Sequence, residues 1–271
     1  NYKQFKRVPD TQSEYNTTID ETLQVPALQV NWVIDNSTWG FTAPADGWRS
    51  NVQYYQSLGF YGDKLDFKTI TVDTRKYYRI SDFYSLTFRL FGGHSFGKDS
   101  QKFFLGGTDN WLIGAGYTNG VRDSTRFNYD EYEDIFGNDT SNVDLKNLYF
   151  SIFTMPVRGT RYMERSGTNV ALANFEFHFP FVNYLSLGFP LKMIFANIRG
   201  VAFFDVGAAW DDKLQVYTDD SPKQYKDLIG GYGLGMRINL GYFILKIDTA
   251  WDYRVGGSSK PQYYFSMGLD L

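Results

Sequence analysis

From Val25 onward, apolar and polar residues alternate with period two in one segment after another. In residues 169–179, Ala171, Ala173, Phe175, Phe177 and Phe179 share one face, and Asn174, Glu176 and His178 the other. In residues 201–210, Ala202, Phe204, Val206, Ala208 and Trp210 form an apolar face. The opposite face sets Asp205 among Val201, Phe203, Gly207 and Ala209. Alternation of this kind predicts β-strands with one apolar face and one face of isolated charges.

The pattern recurs along the chain. Leu28, Val30, Trp32 and Ile34 oppose Gln29, Asn31 and Asp35; Val52, Tyr54 and Leu58 oppose Arg49, Asn51, Gln53 and Ser57. Ile70, Val72 and Tyr78 oppose Asp73, Arg75 and Arg79, and Leu86, Phe88 and Leu90 oppose Thr87 and Arg89. Farther on, Tyr232, Leu234, Met236 and Ile238 oppose Gly233, Gly235 and Arg237; Phe243, Leu245, Ile247, Thr249 and Trp251 oppose Lys246, Asp248 and Asp252. The last segment sets Tyr263, Phe265, Met267, Leu269 and Leu271 against Gln262, Tyr264, Ser266, Gly268 and Asp270. This predicts about nine or ten strands, each close to the length a tilted strand needs to cross a bilayer. Trp32, Trp48, Trp210, Trp251 and Tyr253 stand near strand ends, where interfacial aromatic girdles sit. The reading is all-β, a transmembrane antiparallel β-barrel over residues 25–271, with residues 1–24 a polar lead-in or the end of an earlier strand. A soluble β-sandwich shares the local pattern, but its polar face would be dense in Lys and Glu. Here that face mixes Gly, Ser, Asn, Asp and Arg, as a barrel lumen does.

Composition sharpens the choice. Aromatics make up 19% of 271 residues, and Pro numbers only 8, which suits many uninterrupted strands. Mean hydropathy is −0.37, and no run reaches the length of a spanning helix, yet alternation hides a lipid face from such averages. The absence of cysteine excludes a disulfide scaffold and thiol chemistry. A net charge of −3 argues against a nucleic-acid partner. Two histidines and no cysteine make a transition-metal site improbable, and no cofactor motif is present.

Residues 106–168 read as a long loop. Within it, residues 122–144 carry seven acids and two arginines without the spacing of a calcium loop, and read as an exposed segment. Gly93-His94-Ser95-Phe96-Gly97 matches the nucleophile elbow of hydrolases, but the helix that motif requires does not follow. Gly231-x-Gly233-x-Gly235 likewise lacks the helix of a nucleotide loop.

Six pieces in order carry a resemblance: FFLGG at 103–107, VRGTRYMERSG at 157–167, NFEFHFP at 174–180, FFDVGAAWD at 203–211, GYGLGMR at 231–237, and LKIDTAW at 245–251 before a terminal YYFSMGLDL. Together they resemble the C-terminal barrel of the Omp85 superfamily of outer-membrane assembly factors. The resemblance implies a sixteen-stranded barrel, of which this chain supplies strands eight to sixteen, hence a piece of a longer protein. It implies an in-folded lumenal loop whose Arg158-Gly159 pair meets wall acids Glu176 and Asp205, and a C-terminal strand signal at Tyr263, Phe265, Gly268 and Leu271. It also implies insertion or translocation of client β-barrel or secreted proteins in a lipopolysaccharide-type outer membrane, with periplasmic or lipoprotein accessory subunits as further partners, no enzymatic step and no cofactor. A passive pore or receptor barrel is the alternative. Thr160 and Leu271 depart from the family, which usually has aromatics there.

Overall fold

The computed structural model describes residues 25–40, 42–59, 65–108, 111–114, 152–161, 164–187, 193–218, 221–240, 243–254, 257–258 and 260–268. In chain order the strands are β1 (Ala27–Asp35), β2 (Thr38–Trp39), β3 (Pro44–Ser57), β4 (Lys68–Arg79), β5 (Ser85–Phe96), β6 (Phe103–Leu105), β7 (Trp111–Gly114), β8 (Ile152–Met155) and β9 (Arg165–Gly167). They continue as β10 (Asn169–Leu187), β11 (Met193–Trp210), β12 (Tyr217–Thr218), β13 (Ser221–Tyr225), β14 (Leu228–Asn239), β15 (Ile244–Arg254), β16 (Gly257–Ser258) and β17 (Gln262–Gly268).

The nine strands predicted by alternation are β1, β3, β4, β5, β10, β11, β14, β15 and β17. They form one antiparallel wall in which each pairs with the next. The register lines up whole rows of side chains. Trp32, Val52, Val72, Gly92, Ala171, Ala208 and Leu228 are successive Cα partners across seven strands, and Arg75, Arg89, Asn174, Asp205, Gly231 and Asp252 are partners on the opposite face. Directly opposed residues share a face, so the period-two pattern of each strand becomes one apolar and one polar surface. The apolar surface stays bare: Trp32, Leu90 and Tyr263 are 70%, 63% and 61% exposed. A soluble sandwich would cover such a face with a second sheet. An uncovered apolar face this wide is that of a barrel wall in lipid.

The polar surface of β5, β10, β11 and β14 is covered by the chain's own loop, while Gln29, Asn31 and Asp35 of β1 stay exposed. β6 pairs parallel with β8 and antiparallel with β9 in a small separate sheet. Phe103, Leu105 and Val157 of this plug pack with Phe91, Val170, Leu172, Ala209 and Ile229 of the wall in a buried cluster. Room for the plug comes from the wall: a Cβ at Gly93 would lie 2.6 Å from the Phe103 ring. β7 adds to the free edge of β17 through three residue pairs, including Phe265 with Ile113. Connections alternate in length, with 80–84, 188–192 and 240–243 at one end of the wall and 97–168 and 211–227 at the other.

Some boundaries move. β5 runs on to Phe96, because Gly92, Gly93, His94 and Ser95 keep pairing with β4. The 36–47 connection holds a short hairpin, β2 against β3. β10 continues past Phe179 to Leu187, its parity broken by a register shift between Pro180 and Val182. The elbow-like pentapeptide is strand end. Gln101 N–H donates to Ser95 Oγ at 2.8 Å, while His94 turns to the other face and meets Asn169 Oδ1 at 2.6 Å. The acidic segment 122–144 lies outside the described residues.

Candidate functional site

The turn Val157-Arg158-Gly159-Thr160 is where the plug meets the wall. Two neighbouring strands each aim one carboxylate inward: Glu176 from β10 and Asp205 from β11, 1% and 0% exposed. Arg158 reaches both. Its Nε and Nη2 donate to Asp205 Oδ2 and Oδ1 at 2.7 and 2.8 Å, and its backbone N–H donates to Oδ2 at 3.0 Å. Its Nη1 donates to Glu176 Oε1 at 2.5 Å. The planar fork of a guanidinium suits this side-on grip, which an ammonium does not reproduce. Below it, the Phe203 ring centroid lies 3.7 Å from Cζ, a cation–π contact. Burial disfavours the charge on Arg158, but Asp205 and then Glu176 outweigh it and hold the pKa well above the ordinary arginine value.

Residues from four strands complete the cluster. Asn174 Nδ2 donates to Asp205 Oδ1 at 2.8 Å and to the Pro156 carbonyl at 3.3 Å. His178 Nε2 lies 3.0 Å from Glu176 Oε2. Arg237 on β14 donates to Asp248 on β15 at 2.6 Å and lies 3.9 Å from Glu176. The turn then reaches the last strand. Gly159 N–H donates to the Tyr264 hydroxyl at 3.0 Å, and Gln262 Nε2 donates to the Gly159 carbonyl at 2.9 Å. Tyr264 in turn donates to Gln262 Oε1 at 2.8 Å. Thr160 folds the turn on itself, its hydroxyl donating to the Val157 carbonyl at 2.7 Å.

Glycine makes the close approach possible. Gly159 has φ of 92°, a left-handed backbone, and a Cβ there would lie 2.6 Å from the Trp251 carbonyl oxygen. On β14 a Cβ at Gly231 would overlap the Arg158 carbonyl oxygen. The alternating glycines of β14 therefore clear a path across the wall, from Asp205 on β11 to Tyr264 on β17.

Of the residues singled out from sequence, Arg158, Gly159, Glu176 and Asp205 are together. Tyr263 and Phe265 lie elsewhere, on β17's outer face, with Gly268 at that strand's end; Leu271 is outside the described residues. Sequence reasoning missed Asn174, His178, Arg237, Asp248, Gln262 and Tyr264. Their signal was present, since each occupies a polar-face position of its strand, but alternation alone does not rank one such position over another. A cavity of about 410 Å³ adjoins the cluster, lined by Arg49, Arg75, Arg89, Arg158, Arg237 and Lys246 among others. Arg75 and Arg89 converge there on Asp73, each at 2.9 Å. The arrangement holds the turn and positions it against the wall.

No curated protein matches the chain. Among solved structures, the crystal structure of BamA from Haemophilus ducreyi lacking POTRA domains 1-3 matches with a TM-score of 0.54 at 15% identity. The match covers 97% of this chain and 45% of that one, so the chain spans less than half the length of that protein and the likeness speaks for the fold. The model of the Omp85 superfamily domain matches residues 4–271. A barrel wall with an in-folded Arg-Gly turn thus accompanies a family match over nearly the whole chain, and the chain belongs to the Omp85 superfamily.

Proposed function

We propose that this wall is part of an outer-membrane barrel that inserts or translocates other outer-membrane or surface proteins, working at the edge of β17. The observation that carries the reading is the double hold on that strand. On its inner face Gln262 and Tyr264 grip the Arg158-Gly159 turn; at its edge, among the described residues, only the short β7 is paired. A client strand of alternating pattern would replace β7 by backbone pairing, as in β-augmentation. The lumenal turn keeps β17 in register while its edge is exchanged. No covalent step is needed. Clients would be β-barrel or secreted proteins, the solvent a lipopolysaccharide-type bilayer, and soluble periplasmic or lipoprotein subunits would deliver the clients.

A crosslink tests this. Ile113 and Phe265 are Cα partners and the chain has no cysteine of its own, so Ile113→Cys with Phe265→Cys creates a single closable pair. In full-length protein in vesicles, the oxidised form should fail to fold a client barrel and reduction should restore it. Full assembly by the oxidised form would overturn the role of this edge. Ion flux without assembly in either state would indicate a passive pore.

A further inference from the structure

The β10–β11 hairpin is longer than the wall requires. About 9–11 residues of a tilted strand cross a bilayer; the neighbouring β5 and β14 have 12 each, against 19 and 18 for β10 and β11. β10 is last paired to β5 at His178, opposite Ser85, and β11 is first paired to β14 at Arg199, opposite Arg237. Beyond those points, among the described residues, β10 and β11 pair only with each other, from Val182 with Ile198 out to Leu187 with Met193. At ~3.3 Å per residue this overhang extends about 20 Å past the wall. It leaves at the end with the short connections.

Its chemistry is that of the lipid-facing surface. Between Phe179 and Ile198 the single charged residue is Lys192, and Phe181, Tyr184 and Leu185 are 57%, 77% and 39% exposed. The surface continues to its base: Tyr84 stacks on Phe177 at 6.0 Å, and Phe177 on Phe179 at 5.9 Å. A straight overhang would hold these side chains in water, where exposed apolar surface is unfavourable. The register shift between Pro180 and Val182 is a bulge, which bends a strand pair.

We infer that the described ends of β10 and β11, residues 179–187 and 193–198, form an arm lying in the boundary between headgroups and acyl chains on the short-connection side, with lipid as its occupant. Exposed phenylalanine and tyrosine suit that zone. The inference depends on the wall spanning a bilayer, not on the assembly activity. Single-cysteine nitroxide labels at Phe181, Tyr184, Leu234 and Lys213 test it, in full-length protein reconstituted into phosphatidylethanolamine–phosphatidylglycerol vesicles and shown to be folded. Leu234 lies on the exposed outer face and Lys213 in an exposed connection at the opposite end. At Tyr184 and Phe181, collision with oxygen should exceed collision with an aqueous nickel chelate several-fold, with a depth between those of Leu234 and Lys213. Relaxation dominated by nickel would place the arm in water and overturn the inference. Protection from both reagents, or broadening between labels on two copies, would mean that protein covers the arm and would overturn it too. If Leu234 itself avoids oxygen, the membrane wall falls and the arm with it.

Discussion

Gly159 donates its backbone N–H to the Tyr264 hydroxyl at 3.0 Å, across 105 positions of sequence. The bond joins the tip of the in-folded turn to the last strand of the wall. Tyr264→Phe keeps the ring in its cluster with Val201, Phe203 and Ala250 but strands the Gly159 N–H. The loss should be about 1–3 kcal/mol, the cost of an unsatisfied buried donor. Urea titration of the heat-modifiable folded band measures it; an unchanged midpoint would show that the bond does not hold the turn.

Arg158→Ala leaves Glu176 and Asp205 buried without their cation. Breaking a buried pair costs about 3–5 kcal/mol, against roughly 0–1 for an exposed one. Arg158→Ala should therefore destabilise the fold and impair client assembly more than Arg161→Ala or Arg165→Ala. Arg158→Lys should recover only part. A double-mutant cycle with Asp205→Asn should show coupling beyond about 0.5 kcal/mol, and additivity would refute a direct contact.

Gly231→Ala should push the Arg158 carbonyl away and destabilise by about 1–3 kcal/mol, as overpacking does. Gly92→Ala is the control, because a Cβ there meets nothing within 4 Å. Equal midpoints for the two variants would mean that the turn does not rest on β14.

On β11, Phe204 is 41% exposed and Phe203 is 4% exposed. Nitroxide labels at Phe204 and Val206 should sense the bilayer, and one at Phe203 should not. The opposite parity would overturn the strand register, since a one-residue slip reverses every side chain.

The wall was legible because its two faces differ so strongly: lipid demands apolar residues outward, and a lumen tolerates isolated charges. Arg158, Glu176 and Asp205 were named together through family resemblance, since alternation alone treats Glu176 like any other inward residue. Three features stayed hidden for physical reasons. The plug strands Phe103–Leu105 and Ile152–Met155 are too short and too evenly apolar to show a period. The overhang of β10 disappears where Pro180 and the bulge shift its parity. Tyr264 stands on the polar face as one more residue with a hydroxyl, and its meaning depends on a turn about a hundred positions away.

The contacts of one turn also prescribe an order of events. Arg158 meets Glu176 across 18 positions and Asp205 across 47, whereas Gly159 meets Tyr264 across 105. Shorter loops close at lower entropic cost, by about 0.7 kcal/mol between 47 and 105 positions, which predicts that the turn settles onto the β10–β11 hairpin before it meets β17. The ion pair is then an early local nucleus, and the tyrosine a late checkpoint, met only when the final strand has been laid down in register. Pulse-labelled hydrogen exchange during refolding would show protection at Arg158 N–H preceding that at Gly159 N–H, although the two are adjacent in the chain.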